Sequence, residues 1–416
     1  MNSRTRFLFV LLGMYLILDL YTYFGLRSLF VDRQSRLIFS GIYIASSLFF
    51  FFSFYKVFEV VQTGSIFSNS SANIYLGLFF TAFVGKLFFV VLMLLQDVGR
   101  FFFGVGNSIY QAISDGESEG SFLPKRRQFL TLAASGLAAI PFVGMLYGIT
   151  KGKYAYTVEK VKLGFPDLPK AFEGFKIVQI SDIHSGSFDD AAGVAKGIEL
   201  INAQQPDLLL FTGDLVNADK DEINPYIDLF KSTEAVYGKY CVLGNHDYYG
   251  APNDARADND YWRDFYSKYE AMDFRLMLNE HQYIEKDGER ICLLGVENWG
   301  EPPFPQIGDL DKALKGVAED DFCVLMSHDP THWEYKVLPN RKKIHLTLSG
   351  HTHGMQFGIN LPGLKWSPVQ YRYKRWMGLY EEAKQYLYIN RGFGFLAFPG
   401  RVGMLPEVTV IELARA

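Results

Sequence analysis

Five short stretches of this chain carry Asp, Asn and His at spacings that suit a metal centre. They are Asp182-Ile183-His184, Gly213-Asp214, Gly244-Asn245-His246-Asp247, Ser327-His328-Asp329 and Gly350-His351-Thr352-His353-Gly354. Each follows an apolar run: FKIVQIS, DLLLFTG, KYCVLG, DFCVLMS and KIHLTLSG. Strands deliver the residues beyond their C-terminal ends to one sheet edge, where open α/β sheets place their ligands. Imidazole is the commonest protein metal ligand near neutral pH, and His351-Thr352-His353 turns two of them the same way on a Gly-bracketed loop. Five of the eight histidines lie in these stretches. The other three, His281, His332 and His345, read as ordinary surface or strand residues.

The donor types narrow the chemistry. Carboxylate, imidazole and amide without thiolate suit borderline-hard divalent ions such as Mn, Fe or Zn. Seven candidate ligands exceed one tetrahedral site and fit two ions sharing a carboxylate, a pair that clamps a phosphate and lowers the pKa of a bridging water. A serine nucleophile is the rival. The G-x-S-x-G match runs from Gly116 to Gly120 around Ser118, in a polar linker with no strand before it, so it lacks the context of a nucleophile elbow.

The elements that must position these residues follow from the pattern of the second half. Strand-like runs occupy 175–181, 207–213, 239–244, 290–296, 321–327, 343–349, 385–390 and 407–413, with helix-like segments at 189–204 and 224–236. Asp287-Gly288 reads as a hairpin turn. The mixture predicts an α/β fold, two mixed β-sheets in a sandwich flanked by helices.

The first half has another texture. Residues 1–150 hold four apolar stretches near bilayer-crossing length, at about 7–26, 37–55, 73–95 and 129–150. Residues 151–416 form the second domain, which carries the five candidate ligand stretches. Asp19 and Lys86 sit about three-fifths of the way along the first and third spans, which run parallel, so they can meet at equal depth as an ion pair or face polar surroundings separately. VGRFFFGVGNSIYQAI, before the fourth span, reads as an interfacial helix, and SDGESEGS as a flexible linker. Lys125-Arg126-Arg127 before the fourth span and Arg27, Arg33 and Arg36 in the first loop place those loops in the cytoplasm and residues 151–416 on the other side. RRQFL is similar to the core of a twin-arginine export signal, which points the same way.

Bulk properties exclude some classes. Net charge is -4 and the pI about 6.1, so nothing argues for nucleic-acid binding. Three cysteines without a CxxC pair argue against a disulfide framework.

Taken in order, the five blocks resemble the calcineurin-like metallophosphoesterase superfamily over about residues 154–416. Ser181-Asp182-Ile183-His184, Gly350-His351-Thr352-His353-Gly354 and Asn390-Arg391-Gly392 with Pro406-Glu407 look like its YkuE-type branch. That branch includes exported phosphoesterases and multi-span membrane proteins with a C-terminal phosphoesterase domain. Met355 departs from it, standing where the branch usually has Gly. The resemblance implies two divalent ions, Mn2+ first, with Zn2+ or Fe2+ as alternatives. Asp182, His184 and His353 would hold the first ion, Asn245, His328 and His351 the second, and Asp214 would bridge them. His246 would be the general acid, with Asp247 orienting its ring, and a metal-bridging hydroxide would attack a phosphodiester or pyrophosphate.

Lipid-linked and nucleotide phosphates are the expected substrates. The aromatic loop at 248–266 and the stretch Trp366 to Tyr380 either rim the site or pack between helix and sheet; Arg391 and Arg401 either meet a second phosphate or serve structural ion pairs. The leading expectation is a multi-pass cell (inner) membrane enzyme with its catalytic domain outside the cytoplasm. UDP-2,3-diacylglucosamine pyrophosphatase activity in lipid A synthesis is the alternative and needs a cytoplasmic site. A non-catalytic membrane sensor or scaffold is the alternative of another class. The oligomeric state is not legible.

Overall fold

The computed structural model describes residues 3–63, 70–113, 124–251 and 259–416. One compact unit is built from Met1–Gly64 and Ile74–Tyr147; the second contains Gly148–Ala416.

Four helices make the first unit: α1 (Ser3–Arg27), α2 (Arg33–Thr63), α3 (Ser70–Ile113) and α4 (Pro124–Thr150). Each contains a stretch long and apolar enough to cross a membrane: Leu8–Arg27, Arg33–Glu59, Asn73–Tyr110 and Gln128–Thr150. Pro124 opens α4, where a missing N–H costs nothing. The separate interfacial helix expected after the third span is instead the second half of α3, which runs 44 residues unbroken. No proline interrupts it, and its single glycines Gly99, Gly104 and Gly106 cost only about 1 kcal/mol each.

Asp19 and Lys86 form an ion pair within this unit. The hydroxyls of Tyr43 and Ser47 donate to the Asp19 carboxylate at 3.1 and 2.9 Å, and Lys86 Nζ donates to Tyr15 at 2.6 Å. Three helices thus contribute to one buried polar network, which satisfies charges that would otherwise be costly at that depth.

In chain order, the second unit's strands begin with β1 (Thr157–Gly164), β2 (Lys176–Ile180), β3 (Leu208–Phe211), β4 (Lys239–Cys241) and β5 (Arg275–Leu276). Then come β6 (Glu280–Lys286), β7 (Glu289–Gly295), β8 (Cys323–Met326), β9 (Leu346–Ser349), β10 (Ile359–Leu361) and β11 (Leu364–Trp366). Last are β12 (Gly378–Glu382), β13 (Gln385–Ile389) and β14 (Glu407–Ala414). One six-stranded sheet has the order β1-β14-β2-β3-β4-β5, the other β12-β13-β9-β8-β7-β6, and both are mixed. β10 and β11 form a two-stranded hairpin of their own.

Side-chain alternation explains the layering. Leu208 and Leu210 of β3 face Val324 and Met326 of β8 across the inter-sheet core. Leu209 and Phe211 point outward to Ile198 and Ile201 of α5 (Ala191–Ala203) and to Trp262 and Phe265 of α7 (Asp260–Ala271). Both faces of the central strands are therefore buried, and they read as continuous apolar runs. The helix expected at 224–236 shrinks to a 3-10 turn, Lys220–Tyr226, and the single turn α6 (Ile227–Lys231); Pro225 interrupts the backbone bonding. Asp287 and Gly288 have φ of 50° and 80°, the left-handed pair a tight hairpin needs. All three cysteines are buried and free.

Candidate metal centre

The site lies where β2, β3, β4, β8 and β9 end. β2 delivers Asp182 and His184, β3 Asp214, β4 the turn at Asn245–Asp247, β8 His328 and β9 His351 and His353. Five of these residues (Asp182, His184, Asp214, His351 and His353) have φ between 48° and 70°. Left-handed backbone in non-glycine residues costs about 1–3 kcal/mol each and collects at functional sites. Gly350 explains how the two sheets approach here, because a Cβ on it would lie 1.9 Å from Ser181 Oγ and 2.2 Å from Asp182 Oδ2. Gly244 does the same for the β4 turn, 2.3 Å from Asp214 Oδ1.

The ligating atoms gather in two groups, Asp182 with His184 and His353, and Asp214 with His328 and His351. In the first, His184 Nε2 and His353 Nε2 face each other at 3.0 Å, with Asp182 Oδ1 3.2 Å from His353. In the second, His328 Nε2 is 3.1 Å from Asp214 Oδ2. The same Oδ2 lies 3.5 Å from His184 Nε2, so one carboxylate oxygen faces both groups. Asn245 Oδ1 joins the second group, 2.7 Å from His351 Nδ1.

The residues fit a metal pair. Among the described residues, His184 Nδ1 is buried without a hydrogen-bond partner, and His328 Nε2 and Asp329 Oδ2 have only the close approaches to Asp214 and His351, a cost a protein tolerates only where something else satisfies them. Burial works against ionised Asp182, but the imidazoles of His353, His328 and His184 hold its carboxyl well below the usual range. Burial keeps His184 and His351 neutral, as ligands must be. His328 is different: burial opposes its charge, yet the carboxylates of Asp214 and Asp182 push it up to about 10. A cation between these groups would take that proton's place.

Outer partners orient the ligands. His328 Nδ1–H donates to the Thr212 carbonyl at 2.8 Å, leaving Nε2 for the site. His351 Nε2 lies 2.8 Å from the Tyr373 hydroxyl and 3.3 Å from Asp329, which turns Nδ1 toward Asn245. Asn245 Nδ2 donates to the Tyr249 hydroxyl at 3.0 Å, which turns its Oδ1 inward. Arg401, fully buried, reaches His353 Nδ1 at 3.3 Å and donates to the carbonyls of Gly394 and Met404. Arg391 pairs with Glu407 and Glu159. Both arginines therefore serve protein partners.

His246 stands beside the first group, its ring centroid 4.9 Å from that of His184. Asp247, in the same turn, is buried. Its carboxylate accepts the backbone N–H groups of Gly244, Leu215 and Asp214 at 2.8, 2.9 and 3.0 Å, bracing two ligand loops. Burial and the Asp214 carboxylate push Asp247 up to about 7. The His246 ring is oriented by the Asn217 carbonyl, which accepts from Nδ1–H at 2.7 Å.

Sequence reasoning did not assign Asn217, Tyr249, Asp329 or Tyr373. Asp329 adjoins His328 and Tyr249 follows the Asn245 block, so both carried a positional signal. Tyr373 lies in the stretch Trp366 to Tyr380, for which rim and packing are both open in the sequence, and Phe304 packs edge-on against His351 with centroids 4.6 Å apart. His332 and His345 are buried on Ser327 and Asp167 and His281 meets the Ala313 carbonyl, all outside the site. Ser118 lies outside the described residues.

Comparison with known proteins agrees with this arrangement. The family model described as calcineurin-like phosphoesterase matches residues 175–355, and one described as a probable calcineurin-like phosphoesterase transmembrane domain matches residues 5–153. The uncharacterized metallophosphoesterase YkuE of Bacillus subtilis (strain 168) is 31% identical over 300 residues, covering 69% of this chain and 97% of that protein. A transmembrane protein with metallophosphoesterase domain from Danio rerio is 27% identical over 330 residues, covering 76% of this chain and 70% of its own. The chain belongs to the calcineurin-like metallophosphoesterase family. Within it, this is a membrane protein whose four-helix transmembrane region precedes the phosphoesterase domain.

Proposed function

We propose that this protein hydrolyses a phosphodiester or pyrophosphate bond, using two divalent cations held where its two sheets meet. The observation that carries this reading is Asp214 Oδ2, which faces His184 of one ligand group and His328 of the other at 3.5 and 3.1 Å. Asp182, His184 and His353 would hold one ion, Asn245, His328 and His351 the second, with Asp214 shared between them. The donor set suits Mn2+ first and Zn2+ or Fe2+ next. Bound there, such a pair supplies charge stabilisation for the phosphoryl oxygens and lowers the pKa of the attacking water.

His246 supplies the proton for the leaving alkoxide. Its Nδ1–H is committed to the Asn217 carbonyl, so Nε2 is the nitrogen that serves a leaving group. Tyr249 and Phe304 wall the site with aromatic surface suited to a base, a sugar or an acyl chain. A membrane-anchored domain keeps lipid-linked phosphates within reach. The arginines around the α1–α2 connection and the basic residues in the first turn of α4 support an extracytoplasmic site in the cell membrane.

Three experiments test the reading. Metal analysis and hydrolysis of an aryl phosphodiester by the purified full chain should find about two transition ions per chain and metal-dependent turnover. His246→Ala should keep the metals and lose about 10²–10⁴-fold in turnover; normal turnover would remove His246 from the acid role. A reporter fused after Lys153 should be active only outside the cytoplasm, and a cytoplasmic signal would reverse the orientation and favour the lipid A alternative.

A further inference from the structure

The β10–β11 hairpin stands outside both six-stranded sheets. Its register pairs Ile359 with Trp366 and Leu361 with Leu364, while Asn360 pairs with Lys365. Cross-strand partners and residues two apart share a face, so all four apolar side chains lie on one side of the hairpin. The tip is Leu361-Pro362-Gly363-Leu364, with Gly363 at φ 79°, the residue order of a type II turn. Ile359, Leu361 and Leu364 are 41%, 59% and 52% exposed. A lone two-stranded hairpin is only marginally stable, and a contiguous exposed apolar face marks a contact surface.

The flanks extend the pattern. Met355 is 57% exposed although it is held at a left-handed φ of 54°, so strained backbone here presents a large apolar side chain to the outside. Tyr371, beyond the hairpin, is 79% exposed. From Met355 to Tyr380 the chain carries Lys365, Arg372, Lys374 and Arg375 and no acidic residue. Arg372 pairs with Glu301, and Arg375 with Glu334 and Glu382. Lys365 and Lys374 are exposed and form no ion pair among the described residues.

We propose that this face docks on the surface of the bilayer that the chain's own helices cross, with Leu361 and Leu364 at the headgroup–acyl boundary and Lys365 and Lys374 over anionic headgroups. A bilayer accompanies every copy of a membrane protein. The aliphatic tip, the aromatic Trp366 and Tyr371 and the lysines follow the distribution of an interfacial anchor. The positive charge matches an anionic lipid surface. The segment that follows the hairpin is also tied to the ligand loop: Ser367 Oγ donates to the Gly354 carbonyl at 2.8 Å, and Thr352 Oγ1 to the Trp376 carbonyl at 2.7 Å. Seating the hairpin therefore sets the His351–His353 loop at headgroup level.

The test uses the full chain in nanodiscs and reads position, not activity, so it stands apart from the catalytic reading. Because the native cysteines are buried, an environment-sensitive dye will label Leu361→Cys selectively. In nanodiscs rich in phosphatidylglycerol its emission should shift to the blue, resist iodide and be quenched by lipids brominated near the headgroup. Glu270→Cys on α7 should stay iodide-accessible. Adding Lys365→Gln and Lys374→Gln should reduce the shift in anionic discs and leave it unchanged in phosphatidylcholine discs. Equal iodide quenching at 361 and 270 would overturn the proposal. So would shielding at 361 that persists in detergent and grows with protein concentration, which would assign the face to a second copy.

Discussion

Asp214 shows how much one side chain is asked to do. Its Oδ1 accepts the His246 N–H at 2.7 Å, which leaves Oδ2 to both ligand groups. The same division of labour recurs in His328 and His351, each with one nitrogen hydrogen-bonded to the protein and the other facing the site. Tyr373 is the partner that does this for His351 from 22 residues away. Tyr373→Phe keeps the ring and deletes the hydroxyl, so it should weaken the second metal site about 10–100-fold, the usual effect of losing an outer partner. A competition titration with a chromogenic chelator should show that weakening while the first site keeps its affinity. Equal loss at both sites would point to a general structural fault.

Among the elements, the strand ends place the ligands and the helices hold each other through a polar knot. The Asp19–Lys86 pair is buried, with both side chains near one-tenth exposed. Breaking such a pair on one side strands a charge and typically costs about 3–5 kcal/mol, whereas the intact pair itself contributes little. Asp19→Asn and Lys86→Met should each lower the thermal unfolding temperature in detergent. The exchanged double variant, Asp19→Lys with Lys86→Asp, should recover part of the loss. If it unfolds as early as the singles, direct pairing is not what stabilises these helices.

For the whole molecule, metal and fold are linked. The strained left-handed ligand residues and the unpartnered buried Nδ1 of His184 are unfavourable without a cation. Any ion that binds the folded state alone stabilises it, by about 2.7 kcal/mol at a hundredfold excess over its dissociation constant. Chelator treatment should therefore lower the melting temperature of the second unit, and Mn2+ should restore it more fully than Mg2+. An unchanged melt after exhaustive, verified metal removal would argue against a resident pair.

The residue types at the strand ends, their order and the family they define were legible in the sequence, because each block is local: an apolar run, a glycine, then polar ligands. The same locality made the four apolar spans and the Asp287-Gly288 turn readable. Other features required the folded chain. The Asn217 carbonyl meets His246 Nδ1 across 29 residues. Asp19 meets Lys86 across 67 residues, and α3 runs on where a boundary was expected. Helix α7 was hidden inside an aromatic stretch read as a loop. Local pattern specifies which side of an element is apolar and where it stops, but a hydrogen bond between distant segments depends on how the layers close, and only tertiary packing decides that.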